Sequence, residues 1–434
     1  MAPKLQLISG PGWMNDGVSV DQTGLFMLIT KTVHSTDLRP TVLKREVRAV
    51  ASTAALALLR EAWCTLADGA EDCPGYLTFE YCALAASRVL GQGGSVRVAM
   101  VFGDRDLLVL WPVSIGQSGL LRIARPLTCG TGEEYGGPLV KAGADSAVLK
   151  AAVDVIRQVD ADVLEIPLVE EDCALQRALC GTRQSWVLAL TPAQWRGLPG
   201  FSIRLRDVSR WEDFVSTLPK SLRSSLRYRH NKLESQGHPE FGWCQTVSEA
   251  ASVLTWLFDN KRRWAQRHHV KAHYLNDDRT RDFFIELARR TELSSIPLVA
   301  FVKVNGIPVA ASVNLVGTQT VEGFITTYDE AFATCSVGVL LTEFLVKWSH
   351  ANGRDFDFRP LHADYKASWA NCRTWHETRI VFLTPRGRLA ELSLLCALLS
   401  RARRKLSEIA FGLFEESDRV VRKPAGQGQT NPSG

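Results

Sequence analysis

At 434 residues the chain is long enough for two domains of ordinary size. Its 46% hydrophobic and 22% charged residues are those of a globular protein, and a formal net charge of +5 does not by itself require a nucleic-acid partner. The ten cysteines include no CxxC pair, which argues against a metal or disulfide framework, and neither a membrane-length apolar run nor a signal peptide is evident.

Residues 1–45 carry Gly-Pro, Asn-Asp-Gly and Arg-Pro between short apolar runs, and are expected to form a disordered leader. Ser52–Leu66 has no internal Gly or Pro and predicts a helix, followed by a second near Phe79–Leu90. Ser95–Phe102 and Leu107–Val113 alternate as strands around a turn at Gly103–Asp106. A glycine-rich stretch, Leu127–Pro138, holds Glu133, Glu134 and Tyr135; a helix over Asp145–Val159 and a strand over Val163–Pro167 follow.

The second half repeats this order. Helices are expected over Trp211–Leu218 and Leu222–Gln236, broken at Pro219, then over Ala250–His268 and Thr280–Arg290. Asn305-Gly306 marks a type I′ hairpin between Leu298–Val304 and Pro308–Val316. A strand, Val321–Tyr328, leads through Asp329–Val337 into a helix, Val339–Ala351, that Asn352-Gly353 closes; Asp355–Phe358 is a further strand. The repeat predicts a tandem duplication joined near Thr191–Gly200.

The copies differ at their helix starts. Asp145 in the first copy is an N-cap whose carboxylate would compete with a bound anion. The second copy has no acid between Glu330 and Glu343, and Ser336-Val337-Gly338-Val339 can offer backbone N–H groups at the positive end of a helix. Gly338 would let a phosphate approach the backbone.

This second stretch resembles the GNAT acyltransferases and, more narrowly, the CelD/BcsL-type acetyltransferases of bacterial exopolysaccharide and cellulose synthesis. The resemblance rests on Tyr328-Asp329, on Ser336, Gly338, Leu340 and Leu341, and on Gly353, Asp357-Phe358 and Tyr365-Lys366. In the first half it rests on Trp111-Pro112 and on Tyr135 with Pro138-Leu139. Val337 stands where the family has proline, and Arg359-Pro360 where it has glycine.

The resemblance implies an α/β fold of tandem GNAT-like domains, each a mixed, largely antiparallel sheet flanked by helices. The expected division is a degenerate N-terminal domain (46–195), an acyl-CoA-binding C-terminal domain (196–384), a basic amphipathic helical tail (385–422) and a disordered end (423–434). It implies acetyl-CoA or another acyl-CoA as co-substrate, held by its pyrophosphate at Ser336, Val337, Gly338, Val339 and Leu340, and no metal.

Tyr365 takes the place of the general acid that protonates the departing thiolate, or of a core tyrosine. Asp329 acts as base, orients one, or caps a turn; His362 is a further candidate base. Lys366 and Tyr135 are candidate substrate-binding residues. So are Arg223 and Arg227, one helical turn apart in a run without acids from Lys220 to Lys232, which favours an anionic partner over a solvated face.

The expected reaction is N-acylation of an amino sugar or sugar precursor for an exopolysaccharide, the acceptor being phosphorylated or lipid-linked. The expected setting is cytoplasmic, with peripheral contact to the inner membrane or a polysaccharide synthase, and no nucleic-acid partner is expected. The alternatives are a FemAB-like peptidyltransferase using aminoacyl-tRNA and a non-catalytic acyl-CoA-binding accessory protein of a polysaccharide synthase.

Overall fold

Asn305 and Gly306 adopt positive φ values of 51° and 80°, the left-handed pair that a type I′ turn requires, and they pivot the central hairpin of the second half. The computed structural model describes residues 42–403 apart from Arg105, Gly132, Glu133 and His362. The strands are β1 (Leu43–Val50), β2 (Ser95–Gly103), β3 (Asp106–Ser118), β4 (Leu121–Pro126), β5 (Leu139–Val140), β6 (Val163–Glu170) and β7 (Gly197–Ile203). They continue as β8 (Pro239–Trp243), β9 (Val299–Val304), β10 (Ile307–Val316), β11 (Thr320–Tyr328), β12 (Asp355–Asp357) and β13 (Cys372–Phe382).

These strands form one mixed, mostly antiparallel sheet flanked by helices. Its order is β1-β2-β3-β4-β6-β13-β7-β12-β11-β10-β9-β8, with β5 pairing β3. The order reads as two copies placed head to head. In each copy an antiparallel run ends in one parallel pair, β4 with β6 and β11 with β12, spanned by the helices Ser146–Ile156 and Val337–Ala351.

The copies trade their last strands. β7, which follows the first copy, pairs with β12 of the second; β13, which follows the second, pairs with β6 of the first. β7 and β13 then pair with each other from Cys372↔Ser202 to Glu377↔Gly197, so the expected tandem shares a single continuous sheet. The segment Thr191–Gly200, expected as a linker, therefore enters the central strand. β1 begins at Leu43, so the boundary expected at residue 45 falls inside a strand.

The helices Arg60–Asp68 and Phe79–Gly91 of the first copy meet Val247–Arg267 and Arg279–Arg290 of the second in a shared core. There Tyr81 meets Phe283 edge to face at 5.0 Å, a contact worth roughly 0.5–1.5 kcal/mol beyond its buried area. Separate cores lie under Ser146–Ile156 and under Val337–Ala351.

Ordered helix continues over residues 390–403, docked through buried Glu391, which accepts from Ser185 Oγ at 2.8 Å and Trp186 N at 3.0 Å. The rest of the expected tail, 404–434, and residues 1–41 lie outside the described residues. No helix among the described residues is long and apolar enough to cross a membrane.

Candidate active site

β11 and β12 stay paired for three residue pairs, Thr320↔Asp355 to Glu322↔Asp357, and then separate. The cause is a change of partner. Phe358 N donates to Phe201 O at 2.9 Å and Leu361 N to Pro199 O at 3.1 Å, so the chain leaves β11 to follow β7. Arg359 (φ 64°) and Leu361 (φ 116°) make the turn. The gap left beside β11 is a slot of about 460 Å³. Gly323, Thr326 and Tyr328 form one wall, Phe356, Phe358 and Tyr365 the other, and Ser336, Gly338 and Val339 close one end.

A bulge shapes the β11 wall. Val313 pairs Ile325 while Asn314 pairs Gly323, leaving Phe324 as the extra residue. Phe324 packs against Phe284 at 5.6 Å, while Thr326 and Tyr328 line the slot. Strict alternation would have put all three on one face.

At the helix start, Ser336 is left-handed (φ 50°, ψ 44°) and its side chain caps nothing. Ser336 N is bonded to Ala333 O, and Val339 and Leu340 N turn back to Ser336 O at 2.8 and 3.4 Å. Of the five residues expected to present amides, Val337 and Gly338 keep theirs at the helix's positive end. A Cβ on Gly338 would lie 3.3 Å from Tyr328 Cδ1, so glycine here also seats the Tyr328 ring.

The sequence reading missed the cations beside this end. Asn260 donates to Thr327 Oγ1 at 3.1 Å and Tyr328 O at 2.7 Å, pinning the helix Val247–Arg267 to the end of β11. Lys261 Nζ donates to Thr326 O at 2.9 Å and lies over the Trp264 ring at the slot. Arg263 and Arg267 line a shallow depression with Asp329, and Arg267 pairs with Glu330, neutralising the acid nearest the turn. The signal available was the run Lys261-Arg262-Arg263 and Arg267 at the end of a long helix.

Tyr365 sits on the short helix Asp364–Trp369, against Phe358 and facing the slot. Desolvation holds its phenol above the usual tyrosine value. Lys366 is turned inward and is not among the residues lining the slot. It is 9% exposed, and Nζ donates to Phe358 O at 2.8 Å and Arg359 O at 3.2 Å, clamping the turn that opens the slot. Asp329 caps the 3-10 turn Glu330–Cys335 by accepting from Ala331 N at 3.0 Å, which engages the carboxylate proposed as a base. His362 lies outside the described residues.

Arg223 and Arg227 are exposed on the helix Lys220–Glu234, whose buried Leu222, Leu226 and Leu233 pack towards Val337–Ala351. Neither lines the slot.

A buried carboxyl, Glu322, lies one residue before slot-lining Gly323 and is 3% exposed. Arg359 NH1 is 3.8 Å from its Oε2, which has no hydrogen-bond partner. Burial pushes Glu322 up to about 8 against the pull of Arg359, with Asp357, Asp72 and Glu134 adding to the rise. Its sequence signal was a lone acid inside an otherwise uncharged strand. Tyr135 arrives from the first copy and donates to Asp357 Oδ2 at 2.8 Å.

Among the described residues the corresponding place in the first copy is occupied. Asp145 caps the helix Ser146–Ile156 by accepting from Val148 N at 2.9 Å. Gly136 fills the gap between β4 and β6: a Cβ there would lie 2.6 Å from Pro126 Cγ and 2.9 Å from Pro167 Cδ. Among the described residues no cluster of His, Cys, Asp or Glu forms a metal site.

No curated protein matches the chain. Among solved structures, the crystal structure of FemX aligns with TM-score 0.55 at 9% identity, covering 80% of this chain and 100% of that one. A conserved protein of unknown function from Bacteroides thetaiotaomicron aligns with TM-score 0.47 at 13% identity, covering 77% and 100%. A tandem GNAT protein from the clavulanic acid biosynthesis pathway aligns with TM-score 0.39 at 11% identity, covering 79% and 99%. The likeness to FemX concerns the fold alone. Residues 220–367 match the family model described as an acetyltransferase (GNAT) domain, and that stretch contains β11, β12, the helix Val337–Ala351 and Tyr365, the elements that build the slot.

Proposed function

We propose that the chain is an acyl-CoA-dependent N-acyltransferase working in its second half. The observation that carries this is the slot between β11 and β12, closed at one end by Ser336, Gly338 and Val339 at the start of the helix Val337–Ala351. An acyl-CoA fits this site by its chemistry. The amide-bearing arm suits a strand edge that has lost its partner, and the pyrophosphate suits a helix N-terminus with Lys261, Arg263 and Arg267 nearby. The thioester supplies the electrophilic carbonyl.

The chain's own residues then move two protons. Glu322 takes one from the acceptor's ammonium or amine; a carboxyl poised near 8 is matched to neutral pH. Tyr365, held protonated by its raised pKa, gives one to the departing sulfur. The acceptor is an amine, and the CelD/BcsL-type resemblance favours an amino sugar, phosphorylated or lipid-linked, in exopolysaccharide or cellulose synthesis at the cytoplasmic face of the membrane. Acetyl is the favoured acyl group.

A second reading, FemAB-like transfer from aminoacyl-tRNA, is favoured by the exposed basic helix bearing Lys220, Arg223 and Arg227. A non-catalytic acyl-CoA-binding accessory protein is the third. Thiol release from acetyl-CoA across a panel of amino sugars and nucleotide-linked amines separates them. Release with an amino sugar supports the proposal. Release with none, together with transfer from aminoacyl-tRNA, supports the second. Coenzyme A binding without transfer to any amine supports the third.

A further inference from the structure

We infer that Tyr135, reaching across from the first copy, is a positioning residue for the second copy's site, acting through Asp357 and Arg359 on the Glu322 carboxyl. The arrangement stands on geometry; only the role of Glu322 as proton acceptor rests on the acyltransferase proposal.

Tyr135 is fixed on both sides. Before it, buried Glu134 accepts from the Tyr81 hydroxyl, from Cys129 N at 3.1 Å and from Thr131 Oγ1 at 3.0 Å. After it, Gly136 is wedged between Pro126 and Pro167, and its carbonyl accepts from Trp111 Nε1 at 3.0 Å. The first copy has thus filled its own gap with the loop that delivers Tyr135 to the other copy.

Asp357 is held from two directions, by Tyr135 at Oδ2 (2.8 Å) and by Arg359 N at Oδ1 (2.6 Å). The Arg359 guanidinium lies over the Phe324 ring at 4.3 Å and the Tyr135 ring at 5.3 Å, with NH1 3.8 Å from Glu322. The other groups facing Glu322 are Asp72, Tyr76 and Glu134 of the first copy. Asp72 is occupied by Thr318 Oγ1 at 3.2 Å and Gln319 N at 3.0 Å. Asp357 is therefore the carboxylate whose demand on Arg359 the Tyr135 hydroxyl relieves.

Two substitutions at this one hydrogen bond push Glu322 in opposite directions. Tyr135→Phe keeps the ring but leaves Asp357 Oδ2 without its donor, so Asp357 competes with Glu322 for the guanidinium and Glu322 titrates higher. Asp357→Asn keeps one oxygen for the Arg359 amide and turns its NH2 towards the Tyr135 hydroxyl, and it removes a negative charge beside Glu322, which titrates lower. Loosened packing alone would move both variants the same way.

The test is infrared difference spectroscopy of the full chain against pH. The Glu322 carboxyl band is assigned by its loss in Glu322→Gln, and the pH profile of thiol release is measured in parallel. The expected result is a midpoint raised by about one unit in Tyr135→Phe and lowered by about one unit in Asp357→Asn. Shifts of the same sign, no shift, or no carboxyl band that Glu322→Gln removes would overturn the inference. Opposite shifts in a chain that releases no thiol from any acyl-CoA would uphold the positioning role and sink the acyltransferase proposal instead.

Discussion

Tyr135 donates its hydroxyl to Asp357 at 2.8 Å although 222 residues separate them. The contact gives the duplication a division of labour. The second copy keeps an open slot, while Gly136 fills the corresponding gap of the first and the loop that carries it brings Tyr135 to Asp357.

If Tyr365 protonates the leaving thiolate, Tyr365→Phe should lower turnover by about 10²–10⁴-fold while acyl-CoA affinity stays within a few-fold. Steady-state kinetics paired with equilibrium binding measures both. Equal turnover would return Tyr365 to a packing role beside Phe358.

Glu322 gives a stability signature. Its carboxyl is raised from 4.5 to about 8 in the folded chain, so the native state holds a proton that the unfolded state releases. Its contribution is therefore full below about pH 4.5 and is lost as pH rises to about 8. At about 1.4 kcal/mol per unit, Glu322→Gln should flatten the fall in unfolding free energy between pH 5 and 8 by roughly 3–5 kcal/mol. Denaturant titrations at several pH values measure this; parallel curves for wild type and variant would contradict it.

Gly136 tests the closed first copy. Its Cβ would meet two proline rings that cannot rotate away, so Gly136→Ala should cost about 1–3 kcal/mol and displace Tyr135. Turnover should fall along with stability. A variant as stable and active as wild type would show that the loop has room.

Asp145→Ser removes the acid at the first copy's helix start and leaves Gly136 in place. The number of coenzyme A molecules bound should stay at one per chain by calorimetry. A second site would show that Asp145 alone had closed the first copy.

Local signals made much of the fold legible. Asn305-Gly306 marked a hairpin, Asp145 a cap, and the acid-free turn before Val339 lies at one end of the slot. What stayed hidden was non-local. Nothing in Gly197–Ile203 or Cys372–Phe382 announces that these strands change places, because exchange depends on partners far along the chain. The bulge at Phe324 defeated simple alternation in β11, and with it the place of Glu322. Lys366 and Asp329 looked chemical in the sequence because their carbonyl and amide partners are set by the turn at Arg359 and the turn after Tyr328. Arg223 and Arg227 do share a helix face, but spacing alone could not say that the face is exposed.

Calorimetric titration of coenzyme A into wild type and Gly338→Asp tests the central claim most directly. The motive is the pair of amides at Val337 and Gly338, beside which a carboxylate would repel a pyrophosphate. The account predicts one site per wild-type chain and no measurable binding to a variant whose circular dichroism is unchanged. Equal affinity in that folded variant, or no binding to wild type, would contradict it.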